Sequence, residues 1–202
     1  LGKTVEILAY LEEVRSRNKD AKVLLIVPAS LLGNWGRECM KFTPELDFSI
    51  RHGKDAKKKD FPFLTIVTYQ GAATSASIKE EKWDLVILDE AQNIKNRNTK
   101  QTKAIKALER KQAIAMTGTP IENSLMNLWS IFDFLSPGLL GDEKDFESFS
   151  DSLGGDKMDN LKKVVTPFIL RRLKTDKSII NDLPEKAENE LMVSLTPEQR
   201  VL

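Results

Sequence analysis

Apolar positions along this chain follow two rhythms, and the rhythms alternate. Val5, Ile7, Leu8, Leu11 and Val14 recur at helical spacing and predict an amphipathic helix opening at about Lys3. Lys22 to Val27 (K-V-L-L-I-V) is then a continuous β-branched-rich run, as expected of a strand covered on both faces. Pro28 stops it, and Ser30 is placed to cap a helix from about Leu31 to Phe42. Phe48 to Arg51 reads as a short strand, and Leu64 to Val67 as another buried one ending at Thr68-Tyr69. A third buried run, Leu85 to Leu88, precedes a helix over about Thr99 to Glu109 and a strand at Ala113 to Met116. Strands alternating with helices imply the α/β class, with a mainly parallel, doubly wound sheet and right-handed crossovers.

Beyond Asn123 the pattern changes. Leu125, Leu128, Trp129, Phe132 and Leu135 make one strongly apolar helix face, closed by Ser136-Pro137-Gly138. Residues 139–187 show short helical patterns broken by Gly and Asp, which reads as a helical insertion after a lobe spanning 1–138. Alternation from Glu188 to Ser194 predicts a returning strand, and Thr196-Pro197-Glu198 a helix start. Residues 188–202 are therefore assigned to that strand and the start of a connection to a second lobe.

Composition narrows the field without choosing within it. An apolar share of 41% supports a real core, and a charged share of 30% a well-solvated surface. Formal net charge is +1, so a nucleic-acid partner would have to be held by local patches. One cysteine, Cys39, excludes an internal disulfide and is expected in the core or at its boundary. A reducing cytoplasm fits that usage best. No apolar run approaches a membrane span. There is no initiator methionine and the sequence opens inside a motif, so an excerpt of a longer protein is expected.

The chemistry concentrates in Trp83 to Lys95, W-D-L-V-I-L-D-E-A-Q-N-I-K. A buried strand ends on two adjacent carboxylates, Asp89 and Glu90, at the end of a sheet where α/β proteins bind ligands. One such acid can hold magnesium on a nucleotide's phosphates while its neighbour orients the attacking water. Gln92 is placed to sense the γ-phosphate. The chain also begins Leu1-Gly2-Lys3-Thr4, the last part of a G-x-x-x-x-G-K-[ST] phosphate loop. Gly2 and Lys3 would bind phosphates, and Thr4 with Asp89 would hold Mg2+. His52 and Trp129 have blander readings, as a loop histidine and a packing residue. Trp35 either packs or approaches DNA, with packing favoured. Lys54, Lys57, Lys58 and Lys59 read as a solvated loop.

Five motifs in order carry a resemblance: G-K-T, I-V-P-A-S-L-L-G-N-W, T-I-V-T-Y, D-E-A-Q-N-I-K-N and M-T-G-T-P-I-E-N-S. Together they resemble the first motor lobe of the Swi/Snf-type DNA translocases, within superfamily two of the helicase-like ATPases. Later residues P-F-I-L-R-R-L-K (Pro167 to Lys174) and D-L-P-E-K (Asp182 to Lys186) are similar to that family's region between lobes. Where D-E-A-H is common, this chain has Gln92. The resemblance implies a RecA-like P-loop lobe with ATP and Mg2+ as cofactors, in a DNA-dependent ATPase. Lys3, Glu90 and Gln92 would be catalytic. Double-stranded DNA would run along its backbone over Pro28, Ala29, Ser30, Thr68, Tyr69, Lys95 and Asn96. Thr117, Gly118 and Thr119 would couple phosphate state to DNA grip. A DNA-bound protein complex is the implied remodelling target.

Two rivals remain at this stage. One is a non-hydrolysing DNA-binding or scaffolding module that keeps the motor fold, against which Lys3, Asp89 and Glu90 are all intact. The other is an RNA helicase or restriction-type translocase lobe. Either way, the arginine fingers of a second lobe lie outside this sequence, and the segment alone is expected to be inactive.

Overall fold

A computed structural model of the chain describes residues 2–51, 60–118, 125–152 and 154–172. Helix α1 (Lys3–Arg17) leads into strand β1 (Val23–Val27), a 3-10 turn over Ala29–Leu31 and helix α2 (Leu32–Phe42). Strands β2 (Phe48–Arg51) and β3 (Leu64–Thr68) follow, then short helices α3 (Tyr69–Thr74) and α4 (Ala76–Glu80). Strand β4 (Trp83–Leu88) enters a 3-10 turn over Ala91–Ile94, followed by α5 (Lys100–Lys106) and β5 (Arg110–Ala115). Helices α6 (Leu125–Leu135), α7 (Glu143–Asp151) and α8 (Gly155–Val165) complete the described elements.

The five strands form one sheet in the order β2-β3-β1-β4-β5, and every pairing is parallel. Both faces are covered, as an all-parallel sheet requires. Strict alternation along the strands divides the core in two. Val23, Leu25, Val27, Ile66, Leu85 and Ile87 point toward α1 and α2, meeting Leu8, Leu11, Trp35 and Cys39. Leu24, Ile26, Val67, Val86 and Leu88 point the other way, toward Tyr69, Ala72, Ile78, Ile105, Ile131 and Phe134. Cys39 is a core residue, and burial pushes its thiol up to about 11. Gly36 is small for a reason: a Cβ there would lie 2.8 Å from the Ile50 side chain of β2.

Several boundaries differ from the sequence expectation. Ser30 does not cap α2; it lies within the 3-10 turn, and the helix begins after Leu31 with no side-chain cap. Val5 is 45% exposed, so the buried stripe of α1 is carried by Ile7, Leu8 and Leu11. Helix α5 stops at Lys106, three residues short of Glu109, because Arg110 closes its end. The Arg110 guanidinium donates to the carbonyls of Lys106 (3.0 Å), Leu108 (2.9 Å) and Phe134 and lies over the Phe134 ring. Strand β5 begins there, in the polar residues Arg110 to Gln112, rather than at Ala113. Two short helices after β3 had no periodic signal to announce them. The lysines at 54, 57, 58 and 59, His52, the strand at 188–194 and the start at Thr196 all lie outside the described residues, as do Asp182 to Lys186.

Two compact units are distinguished. The larger is residues 2–162; the described part of the other, 163–172, holds the last turn of α8 and a 3-10 turn over Thr166–Phe168. Among the described residues no helix is long and apolar enough to cross a membrane.

At the amino edge of the sheet, Asp84 ties three segments together. Its carboxylate accepts from the Lys111 ammonium at 2.6 Å and from the Lys22 backbone N–H at 2.9 Å. Lys111 first, then the Lys22 amide, hold Asp84 below the usual carboxylate range. A folded-state pKa below the unfolded one stabilises above the unfolded value, and that contribution is lost as pH falls. Asp84→Asn should therefore cost about 1 kcal/mol at neutral pH. Urea unfolding of wild type and variant should converge as pH falls below about 3.8, the ordinary value.

Candidate active site

Because the strands are parallel and in register, their carboxyl ends open along one edge. Val27 pairs with Thr68, Ile26 with Leu88, and Leu88 with Ala115. The segments that follow these strands, Pro28 to Ser30, Tyr69, Asp89 to Gln92, and Thr117 with Gly118, therefore emerge side by side. That edge is where open α/β sheets bind their ligands.

Asp89 is still part of the sheet, its N–H donating to the Ile26 carbonyl at 2.8 Å. The residue is 6% exposed. Oδ2 accepts from the Trp35 indole N–H at 2.9 Å, and Oδ1 from the Glu90 backbone N–H at 3.0 Å. The Tyr69 hydroxyl donates to the Asp89 carbonyl at 2.8 Å. Burial, then the charges of Asp89 and Glu90, push that phenol far above its ordinary range, so it stays a donor.

At Glu90 the chain leaves the sheet abruptly. Among the described residues it is the one non-glycine with positive φ, at 51° with ψ 56°. A left-handed glutamate costs on the order of 1–3 kcal/mol and persists only where its surroundings impose it. Here they do. The Glu90 carbonyl accepts from the Asn93 N–H (3.0 Å) and the Asn93 side-chain amide (2.8 Å), and Ala91 N–H donates to Met116 (2.8 Å). The buried Ser130 hydroxyl of α6 holds the far end of the turn through the Ile94 carbonyl at 2.7 Å.

This reversal puts the Glu90 carboxylate between two partners. Oε1 lies 3.7 Å from the Lys3 ammonium, and Oε2 accepts from the Gln92 side-chain amide at 2.7 Å. The Gln92 carbonyl in turn accepts from the Thr117 hydroxyl at 2.8 Å. Lys3, Glu90, Gln92 and Thr117 thus form one continuous line from the amino end of α1 to the segment after β5. The Lys3–Glu90 contact is long and partly exposed, worth at most about 1 kcal/mol. A more highly charged ligand would draw the lysine away at little cost.

The start of α1 completes the site. Gly2 takes φ +74°, which suits glycine, and carries no side chain to cap the helix. Lys3, Thr4 and Val5 are the first three residues of the helix, whose N–H groups find no partner within it, so an anion is a natural acceptor for them. Among the described residues no three His, Cys, Asp or Glu side chains gather to hold a metal. The donors expected there, the Thr4 hydroxyl and the Asp89 carboxylate, are hard oxygens on residues adjoining the Lys3–Glu90 contact. That set suits Mg2+ carried in on phosphates, which needs one or two protein oxygens and not a full cage.

The residues expected along DNA are distributed unevenly. Ala29 and Ser30 are exposed and Pro28 half-buried at the end of β1, and Lys95 and Asn96 are exposed after the acidic turn. Thr68 is half-buried and caps α3, its hydroxyl accepting from the Gly71 N–H at 3.0 Å. Tyr69 departs from the expectation: the phenol is buried and its hydroxyl is spent on the Asp89 carbonyl, so the side chain faces the core and not an external phosphate. Thr117 joins the line to Glu90, Gly118 is exposed beside it, and Thr119 lies outside the described residues.

Trp35 is the residue that sequence reasoning placed incompletely. Packing is right, since it is 1% exposed, but its indole also ends on the Asp89 carboxylate. Periodicity reveals which face of α2 is buried; it gives no sign of a partner 54 residues away.

Comparison with known proteins agrees with this arrangement. The SNF2-related domain matches residues 1–202. A putative ATP-dependent helicase/translocase of Bacillus subtilis, YwqA, is 37% identical across the whole chain, which covers 23% of that protein. An uncharacterized ATP-dependent helicase of Mycoplasma genitalium is 35% identical across the whole chain, covering 20% of its length. The chain thus spans about a fifth of these curated relatives. Among solved structures, the Sulfolobus solfataricus SWI2/SNF2 ATPase core in complex with dsDNA superposes with a TM-score of 0.85 at 42% identity, over all of this chain and 44% of that one. With the sheet order, the acidic turn and the helix start all in place, the chain belongs to the SNF2-related domain family and shares the fold of the matched part of a SWI2/SNF2 ATPase core.

Proposed function

We propose that this chain is the first motor lobe of an ATP-dependent translocase on double-stranded DNA, one that remodels protein–DNA complexes. The observation that carries the reading is the line Lys3–Glu90–Gln92–Thr117, which joins a phosphate-facing helix start to the segment after β5. Lys3 and the first-turn amides of α1 take the phosphates. Thr4 and Asp89 hold magnesium, which when bound neutralises charge on the phosphate oxygens. Glu90 orients the attacking water, and Gln92 passes its position to Thr117 and Gly118. Thr119 belongs to the same coupling segment by sequence.

DNA phosphates are held by the exposed turn at Pro28 to Ser30, the Thr68 segment, and Lys95 with Asn96, through hydroxyls, amides and an ammonium that read no bases. The chain organisation proposed with this function is the lobe to residue 138, a helical insertion over 139–187, and a connection beginning at 188. Both rivals lose ground. A scaffolding module has no need of a strained Glu90 held against Lys3, and the motifs from Pro167 onward favour the Swi/Snf type over an RNA helicase or restriction-type translocase lobe.

In the whole protein, Lys3→Ala should reduce DNA-stimulated ATP hydrolysis at least 100-fold and weaken ATP binding, with an unchanged thermal midpoint. Glu90→Gln should lose turnover to a similar degree while retaining bound ATP, because water orientation is removed and the phosphate contacts are spared. Steady-state ATPase assays with a nucleotide-retention assay separate the two. Near-normal turnover in either variant refutes the site.

The second test concerns what the stroke does. A motor that grips phosphates can step along duplex DNA with the base pairs intact, whereas strand separation must break stacking worth about 1.4 kcal/mol per step. An ATP-dependent displacement of a triplex-forming third strand is expected, with a forked duplex left paired. Efficient unwinding of the fork would make the protein a helicase instead.

A further inference from the structure

Three tryptophans occur in the sequence, and their indole N–H groups end differently. Trp83 donates to the Ile78 carbonyl at 3.0 Å and Trp129 to the Gly141 carbonyl at 3.2 Å, both ordinary ways to satisfy a donor. Trp35 alone donates to a carboxylate, that of Asp89 at 2.9 Å. From the opposite face of the sheet, the Tyr69 hydroxyl donates to the main-chain carbonyl of the same residue at 2.8 Å. Trp35 belongs to the core cluster that holds Leu25, Val27 and Ile87, and Tyr69 to the one that holds Ile26, Val67 and Leu88. Asp89 is thereby pinned from both sides of the sheet, by its side chain on one and its backbone on the other.

We propose that Trp35 and Tyr69 are positioning residues that hold the Asp89 carboxylate in the orientation magnesium requires, and so tie the metal site to the two segments expected along DNA. The inference rests on the nucleotide reading above. Each Asp89 oxygen accepts one protein N–H, from Trp35 and from Glu90, leaving a second lone pair on each. A charge-assisted bond from a buried indole fixes the side-chain rotamer, because neither partner has water to turn to. Hydrogen bonds behind a metal ligand orient it and strengthen its hold. The anchors have meaningful addresses. Trp35 lies in the first turn of α2, a helix that begins directly after the turn ending at Leu31, and Tyr69 follows Thr68 without a break. Movement of either segment therefore bears on Asp89, at its carboxylate through Trp35 and at its backbone through Tyr69, with no intervening flexible link.

The test uses the whole protein, a fluorescent ATP analogue and a Mg2+ titration, so that the readout is binding and not turnover. Trp35→Phe keeps the ring and removes the donor; the Mg2+ concentration for half-maximal nucleotide binding should rise roughly 10-fold. Tyr69→Phe deletes one hydroxyl and should raise it about fivefold. Trp83→Phe is the matched control: it loses a buried indole donor at the opposite end of β4 from Asp89, so its thermal midpoint should drop with the Mg2+ midpoint unmoved. Wild-type Mg2+ midpoints in both Trp35→Phe and Tyr69→Phe overturn the proposal, as does a loss of binding capacity at an unchanged midpoint, which marks a purely structural role. A shift in one variant only overturns it for the other residue. Should Trp35→Phe fail to fold, Tyr69→Phe decides alone. If the wild-type protein binds the nucleotide with no dependence on Mg2+, the metal-site reading itself fails and the inference with it.

Discussion

One peptide junction governs the candidate site: the step from Asp89, still bonded into the sheet, to Glu90, already left-handed. Had the chain continued as a strand, Glu90 would point to the opposite face from Asp89, as alternation demands. Reversal instead keeps Asp89 over the strand ends and sends the next carboxylate toward the start of α1. The strain is sustained by bonds from several directions, through Asn93, Met116 and, at the far end of the turn, Ser130. A single fixed backbone conformation therefore separates two chemically identical groups into two roles. Asp89 becomes a buried, doubly hydrogen-bonded oxygen donor. Glu90 becomes a half-buried group with a cation on one oxygen and an amide on the other.

Much of this was legible in the sequence, for reasons that are physical. Strands buried on both faces advertise themselves as unbroken apolar runs, so β1, β3 and β4 were read almost to the residue. The acids at Asp89 and Glu90 and the G-K-T start also stand out, because they interrupt those runs with charge and glycine. The placement of Lys3, Glu90, Gln92 and Thr117 near one another follows from parallel topology, which alternation of strands and helices already implies. What escaped was whatever depends on distant partners. Arg110 ends α5 and begins β5 by bonding three carbonyls, one of them 24 residues away, and no local pattern contains that. Tyr69 carries a hydroxyl that suits a phosphate contact equally well in sequence; only the fold shows it turned to the Asp89 carbonyl. Helices α3 and α4 are too short for a period to register.

The two faces of the sheet are not equivalent in what they transmit. Toward α1 and α2 the packing is aliphatic around Leu25, Val27 and Ile87, with the Trp35 indole as its polar exit to Asp89. On the opposite face, α5 and α6 are linked by Lys106, which pairs with Asp133 at 2.9 Å and lies over the Trp129 ring. Arg97 reaches from the segment after the acidic turn to Glu143 at 2.6 Å and Glu147 at 3.4 Å on α7. That face is laced by ion pairs between segments, while on the other a buried hydrogen bond runs from the packed core straight to the Asp89 carboxylate.

Gln92 has a consequence of a different kind. Its carboxamide donates through nitrogen to Glu90 and accepts through oxygen from Thr117, so its two ends are not interchangeable and the amide is locked one way round. A histidine in this position, as in the commoner D-E-A-H wording, could do the same only in one tautomer, and would gain a proton near neutrality. The carboxamide has no such second state. Gln92 itself therefore carries no proton switch between acid and hydroxyl, and the events it can register are those that displace its neighbours.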